Sequence, residues 1–134
     1  MRVLLVVHGF PPGAWGGTEV YTRDLARALR DHCGDEVVVL AREDDPTRSE
    51  RAVRRETRDG LEVVLVNNTF PPGRPFEETW RDPVIRRHVA GLLDAWRPDV
   101  CYVQHLTGLG VDLLAETGAR GIPTLVTLND YWLL

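Results

Sequence analysis

The segment RVLLVVHGFPPGAWGGTEVYTRDLARALRDHCGDEVVVLA, residues 2–41, decides the fold of this chain of 134 residues. It opens with a continuous apolar run at residues 3–7, which is typical of a strand buried on both faces. A second apolar run lies at residues 36–41. The stretch between them predicts a helix, so the segment as a whole predicts a strand, a crossover helix and a parallel second strand.

The predicted helix begins at Thr18, a residue type that caps helix N-termini, and ends near His32, where Gly34 supplies the stop. Its apolar residues recur at helical spacing and predict one buried face. They are Tyr21, Leu25, Ala28 and Leu29.

Strands and helices continue to alternate along the chain. Residues 52–66 predict a hairpin that turns at Asp59 and Gly60, with a charged first strand at the edge of the sheet. Asp82 and Pro83 predict the start of a helix, followed by a strand at 99–104, a short helix at 110–117 and a last strand at 123–128. We therefore predict a single α/β domain over residues 1–134, with a doubly wound, mainly parallel sheet and a β-hairpin insertion.

Composition limits the partners and the location. A net charge of −4 argues against nucleic-acid binding, and the run RSERAVRRETR interleaves arginine with glutamate, which favours a solvated strand or loop. Cys33 and Cys101 form no C-x-x-C pair, so we expect two buried or half-buried free thiols in a reducing compartment. The first apolar run is too short for a signal peptide or a membrane span, and we predict a cytoplasmic protein.

Ligands of doubly wound sheets bind beyond the carboxyl ends of the strands, where the strand order reverses. This rule selects four loops, at residues 9–17, 67–73, 105–110 and 129–132. The first and second of these each contain Phe-Pro-Pro-Gly after an apolar strand. A helix comes after the first tetrapeptide and a long loop after the second, so we interpret them as two similar turns and not as an internal repeat. If both strands are parallel, the two loops lie on one edge of the sheet and frame one crevice.

The first of these loops leads directly into a helix N-terminus, where free N–H groups and the helix dipole favour an anion such as phosphate. Gly16 and Gly17 would let a phosphate approach the backbone, although a helix start that needs glycine for its backbone angles explains them as well. Glu19 would repel an anion unless its side chain points away.

Two histidines end apolar strands. His105 is expected at the exposed crevice edge as a proton carrier or a sugar-hydroxyl ligand, or else as a histidine satisfied by a neighbouring carbonyl. His8 reaches the same crevice or belongs to the core. We expect three aromatic residues to be exposed: Phe10, Trp15 and Phe70. They either contact a lipid or aromatic acceptor or brace the loops, and we favour bracing.

Three stretches together resemble the amino-terminal domain of family-4 glycosyltransferases of the GT-B type. They are VVHGFPPGAWGGTEVYTRDLARAL, PDVCYVQHLTGLGVDLLAETGARGIPTLVTL and NDYWLL. The resemblance covers nearly the whole chain, apart from residues 42 to about 82, and it implies a Rossmann-like half of a GT-B fold. Such enzymes place the active site between two Rossmann-like domains, of which the first mostly binds the acceptor and the second binds the nucleotide-sugar.

The resemblance also implies a chemistry and a set of site residues. Enzymes of this family retain anomeric configuration and generally need no metal or other cofactor. Gly16, Gly17 and Thr18 match the loop that faces the donor diphosphate, and His105 matches an active-site histidine. The remaining candidates for contact with acceptor or substrate are His8, Phe10, Trp15, Glu19, Phe70, Thr107, Asn129, Asp130 and Tyr131. The implied partners are a nucleotide-sugar and a sugar or lipid-linked acceptor, with peripheral membrane contact left open.

The chain departs from the family pattern in two ways. Asn129 stands where the family often has histidine, and asparagine cannot carry a proton near neutral pH. The paired-glutamate motif of the donor domain does not occur. We therefore expect a domain truncated at its carboxyl end, inactive as an isolated chain, whose exposed sheet edge favours homo-oligomers or domain swapping. The competing hypotheses are a non-catalytic Rossmann-like interaction or regulatory module and a nucleotide-binding domain unrelated to sugars.

Overall fold

The computed structural model describes residues 1–129 and contains a six-stranded sheet with helices on both faces. The strands are β1 (Arg2–Val7), β2 (Glu36–Glu43), β3 (Val53–Arg58), β4 (Leu61–Asn67), β5 (Val100–Val103) and β6 (Thr124–Val126). The helices are α1 (Gly17–Ala28), α2 (Pro83–Trp96) and α3 (Asp112–Ala119). A π-helical turn (Leu29–Cys33) extends α1, and a 3-10 turn (Phe76–Thr79) precedes α2.

The strand order β3-β4-β2-β1-β5-β6 confirms the predicted doubly wound topology. Every pairing is parallel except that of β3 with β4, which form the predicted hairpin with β3 at the edge. Asp59 and Gly60 both have positive φ, as the two central residues of a type I′ turn require. The chain moves outward from β1 through β2 and β4, then returns to the other side of β1 with β5. The switch point therefore lies between β1 and β5.

Alternate residues of β1 build two apolar layers, since successive side chains of a strand point to opposite faces. Val3, Leu5 and Val7 pack on the side of α1, and Leu4 and Val6 pack on the side of α2 and α3. This burial on both faces is why the central strands are continuous apolar runs and not alternating ones.

The predicted start and buried face of α1 need correction. Gly16, not Thr18, is the N-cap residue, and Thr18 lies inside the first turn, where its carbonyl accepts a hydrogen bond from the Thr22 hydroxyl at 2.7 Å. The buried residues are Glu19, Thr22 and Ala26, with Leu25 and Leu29 half-buried, whereas Tyr21 and Ala28 are exposed. Counting apolar residues alone misplaced the face, because two of its three buried residues are polar.

The second predicted helix is confirmed together with its start. The Asp82 carboxylate accepts hydrogen bonds from the backbone N–H groups of Val84 and Ile85, and Pro83 occupies the first helical position. Burial by itself raises the pKa of Asp82, but hydrogen bonds from Arg51 and from these two N–H groups outweigh burial and hold that pKa below its usual range. The start of α2 therefore depends on an ionised carboxylate.

The two cysteines differ from each other in exposure. Cys101 is buried in β5, and burial raises the pKa of its thiol to about 12. Cys33 is exposed at the end of the π-helical turn, so the expectation of two buried or half-buried thiols is wrong for Cys33.

The second edge strand of the described sheet, β6, is less covered than β3. Leu125, Val126 and the following Leu128 expose about half of their side chains or more, at 56%, 42% and 62%. Self-association through this edge stays a prediction. Within residues 1–129, no helix is long and apolar enough to cross a membrane.

Candidate functional site

The switch point brings two histidine rings together. Val6 of β1 pairs with Val103 of β5, so the residues directly after the two strands leave the sheet side by side. The ring centroids of His8 and His105 lie 4.1 Å apart, with the ring planes inclined at 50°. The sequence placed both histidines at this edge, but only the strand order shows that they are neighbours.

His105 is buried, not exposed as the sequence led us to expect. Only 6% of it is accessible in the described structure, and its Nδ1 accepts a hydrogen bond from the backbone N–H of Thr107 at 3.2 Å. That contact places the lone pair on Nδ1 in the neutral ring, so the neutral form carries its proton on Nε2. Thr107 itself is exposed next to it.

A carboxylate from the first turn of α1 completes this group of side chains. Glu19 is 7% exposed, and its Oε1 lies 3.1 Å from Nε2 of His8. The side chain points into the protein, but it lies against Gly16, so its negative charge still opposes an anion bound at that glycine. We call His8, Glu19 and His105 the switch-point triplet.

The two glycines of the first loop have different surroundings. A Cβ added to Gly16 would lie 2.3 Å from Oε2 of Glu19, so a larger residue at position 16 would require that carboxylate to shift. Its φ of −90° is one that any residue adopts, and the explanation by backbone angles is therefore wrong for this glycine. A Cβ on Gly17 would meet no described atom within 4 Å. Packing within residues 1–129 gives no reason for glycine at position 17.

A cavity of about 280 Å³ opens beside the triplet, between the first loop and the end of β2. Its lining includes His8, Phe10, Arg42, Asp44, Asp45 and Arg58. The charges are mixed, because Glu43 also lines the cavity and the lining holds two guanidinium groups and three carboxylates. Such a lining suits a polar ligand with several hydroxyl groups better than an apolar one.

The three candidate aromatic residues fall into three environments. Phe10 is 2% exposed and belongs to the apolar layer on the α1 side, so it braces its loop and was wrongly expected to be exposed. Phe70 is half-buried at a φ of +51°, with the guanidinium groups of Arg42 and Arg74 at 5.0 and 5.9 Å from its ring centre. Trp15 is 64% exposed, and the Arg23 guanidinium lies 5.5 Å from its ring centre.

Arg42 belongs to β2 and links the ends of three strands. Its Nε donates a 2.7 Å hydrogen bond to the carbonyl of Asn68, after β4. Asn68 donates through Nδ2 to the carbonyl of Gly108, after β5, at 2.9 Å. A Cβ on Gly108 would lie 2.4 Å from Cδ of Arg42. The second loop is therefore held against both β2 and β5, and the two Phe-Pro-Pro-Gly loops share one edge as predicted.

The arginine-rich run RSERAVRRETR is not merely solvated. Arg58 Nη1 donates 3.0 Å hydrogen bonds to the carbonyls of Phe10 and Pro11, and so anchors the first loop to β3. Arg51 Nε donates to Asp82 at 2.6 Å and thereby joins the segment before β3 to the start of α2. Only Arg55 on this strand fits the solvated description, since its side chain is 53% exposed. No periodicity signals such contacts, because each joins segments distant in sequence.

The last candidate residues lie at the end of β6. Asn129 donates through Nδ2 to the backbone carbonyl and to Oε1 of Gln104, both at 3.1 Å, so it sits next to the residue that precedes His105. Asp130 and Tyr131 lie outside the described residues.

The fold and the strand-end site define a Rossmann-like α/β domain of the kind that forms one half of a GT-B fold. The chain belongs to the glycosyl transferase 4-like domain family, whose model matches residues 16–134. The predicted family is therefore confirmed, and the chain is a glycosyltransferase domain.

Solved structures support the fold. A C-terminal domain of a hydrogenase from Pyrococcus furiosus matches with a TM-score of 0.60 and 17% identity, covering 95% of this chain and 91% of that one. Sucrose-phosphate synthase from Thermosynechococcus elongatus matches with a TM-score of 0.57 and 14% identity, over 93% of this chain. This chain spans 31% of that synthase, and at these identities the two likenesses concern the fold alone. A comparison with curated protein sequences finds no significant match.

Proposed function

We propose that this domain is the acceptor-binding, amino-terminal part of a retaining, metal-independent glycosyltransferase that uses a nucleotide-sugar donor. The observation that carries the proposal is Gly17. It opens helix α1 next to the switch-point triplet, and the position where its side chain would stand is open space. Such a position suits a diphosphate that approaches the helix N-terminus closely, because the first N–H groups of a helix and its dipole favour anions.

In this proposal the donor diphosphate lies over Gly17 and Thr18, and the reacting sugar lies near the two histidines. The acceptor occupies the 280 Å³ cavity, where His8, Asp44 and Asp45 offer hydrogen-bonding groups to hydroxyls. His105 is largely covered in the described structure, so we assign it the contact with the donor sugar only after a local movement of its loop. Thr107 and Asn129 flank that position and are proposed to contact substrate.

Several finer points of the proposal come from the family and not from the site. Retention of configuration, independence of metal and the use of a nucleotide-sugar belong to the family resemblance. The donor's base is expected to bind a second domain, so we propose that the 134-residue chain by itself turns over no nucleotide-sugar. The cytoplasmic location and a sugar or lipid-linked acceptor stay predictions.

The test is a calorimetric titration of the chain with UDP and with inorganic pyrophosphate. We expect both to bind weakly and with similar affinity, because this half of the site would contact the diphosphate and not the base. The variant Gly17→Ala should weaken both by about tenfold, which corresponds to about 1.4 kcal/mol. Gly91→Ala is the matched control, since Gly91 lies in α2 and a Cβ there also meets no described atom within 4 Å.

Unchanged binding in Gly17→Ala would contradict the placement of the diphosphate. Failure of the wild-type chain to bind either compound would contradict the donor-facing site and favour a non-catalytic interaction or regulatory module. Preferential binding of a nicotinamide dinucleotide would instead favour a nucleotide-binding domain unrelated to sugars.

A further inference from the structure

Helix α1 buries a carboxylate at its beginning. Glu19 is 7% exposed, whereas Asp24 and Arg27 of the same helix are exposed. Burial of a carboxylate costs several kcal/mol unless other charges or dipoles compensate it. The first turn of a helix provides partial compensation through its dipole, and His8 Nε2 at 3.1 Å provides a second polar contact.

The carboxylate is enclosed by the first loop as well as by His8. Besides the approach at Gly16, a Cβ on Gly9 would lie 3.3 Å from Oε1 of Glu19. Both ends of the loop therefore come within contact distance of one carboxylate. A larger side chain at position 16 would therefore force the carboxylate or the loop to shift.

Glu19 is not placed to bind substrate itself. His8 and Gly9 line the cavity, but Glu19 does not, and it lies beneath the loop. Its contacts join three structural units: the end of β1 through His8, the glycine loop through Gly9 and Gly16, and helix α1, to which it belongs.

We propose that Glu19 is a positioning residue whose carboxylate holds the His8 ring against His105 and seats the loop of residues 9–16 on α1. His8 and Gly17 are thereby presented to the substrate in a fixed arrangement. The importance of this arrangement for the reaction rests on the proposed function, but the arrangement itself is a property of the protein without ligand.

The test is to record the ring resonances of His8 and His105 and the backbone amide resonances of the loop by NMR in the 134-residue chain. In the wild type, we expect nuclear Overhauser contacts from the His8 ring to the His105 ring and to the Glu19 side chain. Glu19→Ala should shift both rings and the amides of Gly9, Gly16 and Gly17. Glu19→Gln, which keeps the volume and removes the charge, should shift the rings and leave the loop amides nearly unchanged. Asp24→Asn, at an exposed carboxylate of the same helix, should shift none of them.

Ring resonances in Glu19→Gln that coincide with those of the wild type would overturn the proposal, because packing alone would then account for Glu19. If Glu19→Ala does not fold, the ring resonances of Glu19→Gln test the proposal by themselves. Absence of the wild-type contacts between His8 and Glu19 would overturn the proposal without any variant. Since these measurements need no ligand, a failure to bind UDP would count against the proposed function and leave the placement of His8 unaffected.

Discussion

The two Phe-Pro-Pro-Gly loops share four residues and one edge of the sheet, yet their phenylalanine rings lie in different surroundings. In the first loop, Phe10 is buried in the apolar layer beside α1. In the second, Phe70 adopts a positive φ and lies near the guanidinium groups of Arg42 and Arg74, and Arg74, which follows the loop, forms an ion pair with Glu50. The comparison teaches that the tetrapeptide encodes a turn, whereas the surrounding segments decide whether its phenylalanine ring is buried or contacts charged side chains.

The largest effect is expected from removing the buried ring of the first loop. Phe10→Ala should lower the free energy of unfolding by about 3–5 kcal/mol, the usual cost of truncating a core phenylalanine. Phe70→Ala should cost about 1–2 kcal/mol, since it loses partial burial and cation–π contacts. Urea denaturation followed by circular dichroism measures both, and Phe76→Ala, at a ring that is 83% exposed, is the control. Equal losses at positions 10 and 70 would remove the distinction between the loops.

The stretch that follows the second loop should be sensitive to charge at Asp82, the N-cap of α2. Asp82→Asn keeps a side-chain oxygen that can cap α2 but removes the ion pair with Arg51, and should lower the free energy of unfolding by about 2–3 kcal/mol at pH 7. Asp24→Asn, at an exposed carboxylate, should change it little.

The effect of Asp82 should also depend on pH in a definite direction. The pKa of Asp82 is lowered in the folded protein, so its stabilising contribution is complete above the pKa of the unfolded chain and is lost as the pH falls through the folded value. The difference between wild type and Asp82→Asn should therefore shrink below about pH 4. Urea midpoints measured from pH 7 down to acid test this, and a difference that grows in acid would show that another group is responsible.

The two glycines of the first loop should differ in how much an added methyl group changes the free energy of unfolding. Gly16 lies against the Glu19 carboxylate, whereas the space beside Gly17 is open. Gly16→Ala brings a Cβ onto the Glu19 carboxylate and should lower the free energy of unfolding by about 1–3 kcal/mol. Gly17→Ala should leave it unchanged or raise it by up to about 1 kcal/mol, because alanine restricts the unfolded chain. Thermal melts of the two variants measure the contrast. A similar loss at both positions would mean that Gly17 also has a structural reason.

The smallest loss in the free energy of unfolding is expected from replacing Arg58, whose guanidinium group binds the first loop. Arg58→Met removes the hydrogen bonds to the carbonyls of Phe10 and Pro11, but the Phe10 carbonyl also accepts from the N–H groups of Gly13 and Ala14. We expect a loss of about 1 kcal/mol in the free energy of unfolding. Arg55→Met, at an exposed position of the same strand, is the matched control. A loss comparable to that of Phe10→Ala would show that charge, and not packing, holds this loop.

Local signals were read correctly at two places and wrongly at the start of α1, where Gly16 and not Thr18 is the N-cap. The N-cap at Asp82 and the I′ turn at Asp59 and Gly60 were predictable because the decisive contacts lie within four residues. The face of α1 was partly misjudged since Glu19 is buried by a partner from β1, which no periodicity contains.

The candidate site was predictable as an edge of the sheet and not as a set of contacts. Two histidines after apolar strands pointed to the switch point, but the covering of His105 and the cavity beside His8 depend on how the loops pack. Arg42 and Arg58 were missed because arginines among acidic residues look the same in sequence whether they face solvent or hold another segment.

The sequence by itself determined the alternation of strands and helices, the edge position of the hairpin and the family, because apolar runs, caps and turn residues act locally. Only the tertiary structure decided that Glu19 lies against His8, that Gly16 and Gly17 have different surroundings, and that Phe10 is buried while Phe70 lies near two guanidinium groups. The physical reason is that burial, ion pairing and close approach are relations between segments far apart in the chain, and they come into existence only when the sheet brings the strand ends together.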